Sequence, residues 1–328
     1  MIGTNRAIDI GPDGVLPSSV PAITVQGLWR RYCAGRGRTE KVFDAVRGVD
    51  LTVHHGEVFA LLGTNGAGKT STVEVIEGLA PPSEGNVRVL GQDPYAERHL
   101  VRPCTGILLQ SSGFPPALTV REMARMWHGT LRSPYPIDDM LDAVGLDHSS
   151  HLLTANLSGG ERRRLDLALT LMTRADVLIL DEPTTGLDPD SRHRMWTLIR
   201  ERVAGGAAAL ITTHYLEEAE KFADRLAVMH AGRIARQGTL REIVSNAPAR
   251  ITFNCPPGLS LSDLRVPAAR IMSERGAHTT RILIETADLQ GALAATLAWA
   301  GPHVLDDLQA RSASLEQAFL SLSDTEES

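Results

Sequence analysis

Gly63-Thr64-Asn65-Gly66-Ala67-Gly68-Lys69-Thr70 satisfies the pattern G-x-x-x-x-G-K-[ST] at every fixed position. An apolar strand, Glu57–Leu62, runs into it, and a helix is predicted to leave it over Lys69–Leu79. Strand, glycine-rich loop and helix in that order form a cradle for polyphosphate. The glycines let successive backbone N–H groups face inward, and the helix N-terminus adds its positive end. Lys69 then brings a point charge to the β- and γ-phosphates, and the Thr70 hydroxyl is a ligand for Mg²⁺.

A second stretch completes the chemistry. Val177-Leu178-Ile179-Leu180 reads as a buried central strand, and Asp181-Glu182 stands at its C-terminal end, where α/β sheets hold their ligands. Asp181 is expected to bind Mg²⁺, directly or through water. Glu182 is expected to polarise the attacking water, the usual task of a second carboxylate beside a phosphoryl group.

Outward from these motifs the pattern alternates. Strands are predicted at Ala22–Val25, Val49–Val53, Val87–Leu90 and Ala207–Thr213, with a turn at Arg36–Lys41. Short helices are predicted at Val120–Trp127 and Ile137–Val144, and longer ones at Glu161–Met172 and Ser191–Val203. This is a parallel α/β sheet interrupted by a helical insertion near 111–160. Arg162-Arg163-Arg164 reads as the solvated face of its helix. After Gly238 the texture changes: strands at Arg250–Asn254 and Arg281–Glu285, then helices at Leu289–Ala300 and Ser314–Leu322, read as a small α+β appendix.

Composition bounds the rest. With 43% apolar and 22% charged residues, the 328-residue chain can bury a sizeable core. Its 33 basic and 39 acidic side chains leave a net charge of −6, which argues against a dedicated nucleic-acid binder. Cys33, Cys104 and Cys255 are too scattered for a zinc site or a disulfide framework. The most apolar stretch, Leu289–Leu305, is broken by Trp299, Pro302 and His303 and does not read as a membrane span. Met1–Ala22 lacks the apolar centre of a signal peptide, so a soluble cytoplasmic protein with a loose N-terminus is expected.

Leu157-Ser158-Gly159-Gly160-Glu161 narrows the family. It resembles the LSGGQ signature of the ATP-binding-cassette (ABC) ATPases, with Glu161 where Gln is commonest. Asp181-Glu182-Pro183-Thr184-Thr185-Gly186-Leu187-Asp188-Pro189 is similar to the family's Walker B motif running into its D-loop, Gly186, Leu187 and Asp188. Gln110 falls where the Q-loop is expected, His214 where the switch histidine stands, and Tyr32 where an aromatic residue stacks on adenine; a Tyr at that place also reads as ordinary packing. These matches run in order across 22–239.

The resemblance implies a P-loop NTPase of ABC type: a parallel-sheet core with an antiparallel β subdomain and an inserted helical subdomain, plus a small C-terminal α+β domain. It divides the chain into an N-terminal extension (1–21), an ATPase domain (22–240), an accessory domain (241–322) and a tail (323–328). It implies ATP held by Tyr32, Gly63, Thr64, Asn65, Gly66, Ala67, Gly68, Lys69, Thr70 and Ser71. Mg²⁺ falls to Thr70, Gln110 and Asp181, and catalysis to Glu182, His214 and Gln110. Ser158 and its glycines form a second anion nest that, in the family, closes on the ATP of an opposite subunit, making a homodimer.

The stretches Ser158–Ala168, Gly113–Glu122 and Ser314–Leu320 are similar to the daunorubicin-resistance group of exporter ATPases. They imply a subunit, peripheral on the inner face of the cell membrane, that drives a separately encoded permease of about six spans and exports a drug, lipid or polysaccharide. No nucleic-acid partner is expected of that group. A regulatory ABC ATPase acting on a protein or nucleic acid, and an importer ATPase, remain as other readings.

Overall fold

A computed structural model describes residues 20–34, 41–110, 113–245, 247–256, 259–275 and 279–324. Most of the N-terminal extension, the turn expected at Arg36–Lys41 except Lys41 itself, Ser111 and Ser112 at the start of the helical insertion, and the end of the acidic tail lie outside the described residues.

β1 (Ile23–Ala34) and β2 (Lys41–Val53) form a long antiparallel pair. β3 (Val58–Gly63) leads into the glycine loop and α1 (Lys69–Ile76), and β4 (Glu84–Val89) pairs antiparallel on the other edge of β1. α1 is shorter than its apolar pattern predicts. Gly78 turns away at φ 69°, with its Cα so close to the chain that a Cβ would stand 2.0 Å from the Pro94 carbonyl oxygen. β1 and β2 are longer than predicted because register shifts after Val25, Leu28 and Arg30 break the alternation along Gly27-Leu28-Trp29-Arg30-Arg31.

α2 (Arg98–Val101) precedes the edge strand β5 (Thr105–Leu108), and the insertion supplies α3 (Val120–His128) and α4 (Ile137–Ala143). α5 (Gly159–Met172) then packs on α4 and leads into β6 (Val177–Asp181). α6 (Pro189–Ala204), β7 (Ala208–Thr213), α7 (Leu216–Phe222), β8 (Arg225–His230) and β9 (Arg233–Gly238) complete the unit. The main sheet has the order β5-β6-β7-β3-β8-β9, parallel from β5 to β8. β8 returns as β9 through Ala231-Gly232, both at positive φ, the backbone of a tight hairpin.

Both faces of this sheet are covered, which is why its strands read as continuous apolar runs. Val177 and Ile179 of β6 enter the core shared with β1, β2, β4 and α1, whereas Leu178 and Leu180 enter the core shared with α3, α4, α5 and α6. The phosphate loop and the Asp181-Glu182 pair emerge from the same end of the sheet, because β3 and β6 are parallel to the β7 between them.

The described chain divides into two compact units, with the seam between Gln237 and Gly238. The second opens with α8 (Leu240–Val244), capped by Thr239, whose hydroxyl accepts from the Glu242 N–H while the Glu242 carboxylate accepts from the Thr239 N–H. It continues as β10 (Ala249–Cys255), β11 (Ala269–Arg275), β12 (Thr280–Thr286), α9 (Leu289–Ala300), β13 (Asp306–Arg311) and α10 (Leu315–Asp324). Its antiparallel sheet, ordered β11-β12-β10-β13, encloses a core of its own around Ile251, Phe253, Ile282 and Ile284. All three cysteines are free thiols. No described helix is long and apolar enough to cross a membrane.

Candidate functional site

The loop between β3 and α1 is shaped by its glycines. Gly68, the N-cap of α1, lies at φ 102°, and a Cβ there would strike the Ala45 carbonyl oxygen at 2.4 Å. Gly63 is hemmed in the same way by the Met229 carbonyl at 2.5 Å. Gly66, at φ 81°, faces open space. Thr64, Asn65, Gly66 and Thr70 are exposed, whereas Ala67 and Lys69 are buried. The Lys69 ammonium donates to the carbonyls of Gly63 at 2.7 Å and Thr64 at 3.2 Å. Burial pushes its pKa down, while the charges of Glu182 and Asp181 oppose that. A cation folded onto two loop carbonyls, beside open backbone N–H groups, fits a polyphosphate that would exchange those carbonyls for phosphate oxygens.

Asp181 and Glu182 are held from β7. In the parallel register Asp181 faces Thr212, whose hydroxyl donates to the Asp181 carboxylate. The same hydroxyl accepts from the Glu182 N–H at 2.9 Å. Burial raises the Asp181 pKa, with the neighbouring Glu182 charge adding to it; the Thr212 hydrogen bond, Lys69 and Arg163 pull the other way. A buried carboxylate whose charged form is disfavoured by burial is suited to a cation. In donor chemistry, one carboxylate with the neutral oxygens expected from Thr70 and Gln110 fits Mg²⁺, which keeps several waters and takes few protein carboxylates.

Glu182 sits at φ 46°, a left-handed backbone that a non-glycine residue adopts at some cost. The turn aims its side chain away from the strand. Its Oε1 lies 3.2 Å from His214 Nδ1, and its Oε2 accepts from the Thr185 hydroxyl at 3.3 Å. The structure thus brings Lys69, Asp181, Glu182 and His214 to one end of the sheet.

Arg163 corrects the expectation of a solvated arginine face. Arg162 is exposed, but Arg163 is 8% exposed and Arg164 donates to the carbonyls of Val144 and Gly145. The Arg163 guanidinium donates to the carbonyls of Asp181 (2.6 Å), Glu182 (2.8 Å), Pro183 (3.3 Å) and Leu109 (2.6 Å). The last immediately precedes Gln110, which is itself exposed. Helical spacing was the signal available: Arg163 lies four residues before Leu167 and seven before Thr170, both buried on α5.

Tyr32 lies over α1. Its hydroxyl donates to Glu74 Oε2 (2.9 Å) and shares a hydrogen bond with the Ser71 hydroxyl (3.1 Å), and the Arg30 guanidinium sits 4.7 Å from its ring centre. The ring is half-buried, so one tyrosine serves both packing and the neighbourhood of the loop.

The signature segment forms a separate feature. Ser158 caps α5: its hydroxyl accepts from the Glu161 N–H at 3.2 Å and donates to Glu161 Oε2 at 2.8 Å, and that oxygen also accepts from the Ser158 N–H. The Ser149 hydroxyl adds a bond to Oε1. These bonds, that from the Ser158 N–H foremost, hold the Glu161 pKa below the usual range. Leu157 is buried as an anchor, Ser158 and Gly159 are exposed, and a Cβ at Gly160 would lie 3.5 Å from the Gly186 carbonyl. Gly186, at φ 79°, and buried Leu187 lead to Asp188, which caps α6 through the Ser191 N–H. Among the described residues this nest and the Lys69 loop are distinct sites, each opening a helix.

A family model described as "ABC transporter" matches residues 46–185, and one described as "ABC transporter domain-containing protein-like, C-terminal domain" matches 249–314. The chain is 41% identical over 227 residues to the daunorubicin resistance ATP-binding protein DrrA3 of Streptomyces coeruleorubidus, covering 68% of this chain and 69% of that one. It is 32% identical over 328 residues to the Nod factor export ATP-binding protein I of Ralstonia nicotianae, covering 96% and 98%. Among solved structures, one described as the ATP binding subunit of an ABC transporter superposes with a TM-score of 0.60 at 27% identity, covering 68% of this chain and 91% of that one.

Proposed function

The chain belongs to the ABC transporter ATP-binding proteins and is an ATPase of that family; on that premise we propose that two copies close around two Mg-ATP and power a separate membrane permease. The observation that carries the reading is the pairing of two unlike anion sites on one chain. The loop at Lys69 is complete in itself, yet Ser158-Gly159-Gly160 presents a second exposed nest at a helix N-terminus. Two copies arranged head to tail place each nest on the nucleotide of the other.

Within one copy the proposed roles are as follows. Lys69, Thr70, Ser71 and the backbone of 63–70 bind the phosphates, and Tyr32 stacks on the adenine. Mg²⁺, held by Thr70, Gln110 and Asp181, neutralises phosphate charge when bound. Glu182 accepts the proton of the attacking water, and His214 holds the Glu182 carboxylate in line from Nδ1. The names of the relatives, drug resistance and Nod factor export, support export of a drug, lipid or polysaccharide. The permease places the ATPase on the inner face of the cell membrane. We assign residues 22–240 to ATP hydrolysis and 241–322 to an accessory domain.

Glu182→Gln tests this. The amide keeps size and hydrogen bonding but accepts no proton, so phosphate release should slow by about 10²–10⁴-fold. ATP should still bind and join two copies. Light scattering with and without Mg-ATP, beside a phosphate-release assay, reads both; a monomer with ATP, or hydrolysis at the parental rate, overturns the assignment. For the permease, co-expression with a membrane protein encoded in the adjacent reading frame should carry the chain into the membrane fraction. A chain left in the supernatant counts against that half.

A further inference from the structure

We infer that Arg163 is the positioning residue of the hydrolytic step: it locks the backbone of Glu182 to the segment carrying Gln110, from the helix that bears the Ser158 nest. The inference rests on the role proposed above for Glu182. Beyond Asp181 the ladder of β6 ends, and the carbonyls of Glu182 and Pro183 have no strand to pair with. Four of the five guanidinium N–H groups are spent on four carbonyls from two separate segments, 109 and 181–183. The planar fork reaches both segments at once, which the single nitrogen of a lysine does not.

Glu182 is gripped at both ends of its residue. Its N–H is held by Thr212 of β7, and its carbonyl by Arg163 of α5 together with the Thr185 N–H of its own turn. Between those two anchors the backbone stays at φ 46° and aims the carboxylate toward His214. Removing Arg163 leaves that carbonyl on the Thr185 N–H alone, a bond inside the turn; the strained turn is then untethered from α5, and its relaxation swings the carboxylate off line.

The second consequence concerns the other nucleotide. Arg163 stands five residues past Ser158 on one unbroken helix. A movement of α5 as its nest takes up a partner's phosphate is therefore delivered, through one side chain, to the Glu182 carbonyl and the start of the Gln110 segment of its own copy. Each site senses whether the opposite one is filled.

The test is a mutant cycle. Arg163→Lys and Arg163→Gln are made alone and with Glu182→Gln, and phosphate release is followed across ATP concentration beside thermal melting. Arg163→Lys should lower kcat by about 10–100-fold, the cost of a misplacement near 1 Å, while KM for ATP moves by less than about twofold. The Hill coefficient for ATP should fall toward one. In the Glu182→Gln background the Arg163 change should cost nothing further, because it acts through that carboxylate. Arg162→Gln, on the exposed neighbour, should leave kcat unchanged. An unaltered kcat, a loss that multiplies with that of Glu182→Gln, or a rise in KM with kcat held overturns the inference. If the lysine variant does not fold, Arg163→Gln, whose amide still donates to two carbonyls, carries the same cycle. Parental hydrolysis by Glu182→Gln alone would instead remove the role of Glu182, and that result is read without touching Arg163.

Discussion

Glu77 closes α1 with a side chain 4% exposed, and its Oε1 meets no hydrogen-bond partner. Burial, reinforced by the charges of Asp181 and Glu74, pushes its pKa from 4.5 up to about 8. The folded state therefore holds a proton that the unfolded chain releases near pH 4.5. Stability from this group is complete below that pH, declines as pH rises through the window up to about 8, and is lost above it. The slope amounts to on the order of a few kcal/mol across the window. Glu77→Gln should consequently raise the melting temperature at pH 8 and leave it little changed at pH 4.5. A gain of equal size at both pH values would show that charge is not the cause. Nothing in the sequence marks Glu77, because a glutamate at a helix end normally reads as solvated. The same bias conceals Arg163 within three arginines. The loop at Lys69 and the pair Asp181-Glu182 are legible because their chemistry is set by local backbone and short spacing.

At the scale of the element, the N-terminus of α5 carries an unusual choice. Glu161 completes a capping box with Ser158 and places a negative charge at the positive end of the helix. Both effects favour the isolated subunit, yet the proposed ligand of this nest is itself an anion. Gln at 161 still closes the box but carries no charge. Glu161→Gln should thus lose about 0.3–1 kcal/mol of stability, and in the Glu182→Gln background it should lower the ATP concentration needed for dimerisation. Melting curves and light scattering measure the two separately, and weaker dimerisation would refute the charge argument. α5 itself begins at Gly159 and not at Glu161 as its apolar spacing predicts, since the Ser158 cap draws two glycines into the first turn. Strands were harder to read than helices. β9 and β13 present mostly half-exposed or exposed residues, so no buried stripe announces them, and the bulges of β1 erase its period.

For the whole molecule, two units with separate cores predict separable behaviour. A chain ending at Gln237 should melt cooperatively and bind ATP with an affinity within about threefold of the full chain, well under the factor of ten worth 1.4 kcal/mol, as read by calorimetric titration. Loss of ATP binding would show that the second unit completes the site. The α/β alternation of the first unit was readable from its apolar runs, and the change of texture after Gly238 from the return of antiparallel patterning. Thr239 caps the first helix of the second unit from inside that unit, and β9 finishes the sheet of the first. Such a joint is a natural crossover point for recombination: a shuffled gene that exchanges everything after Gly238 would bring a new appendage to a first unit whose own sheet and core are left as they were.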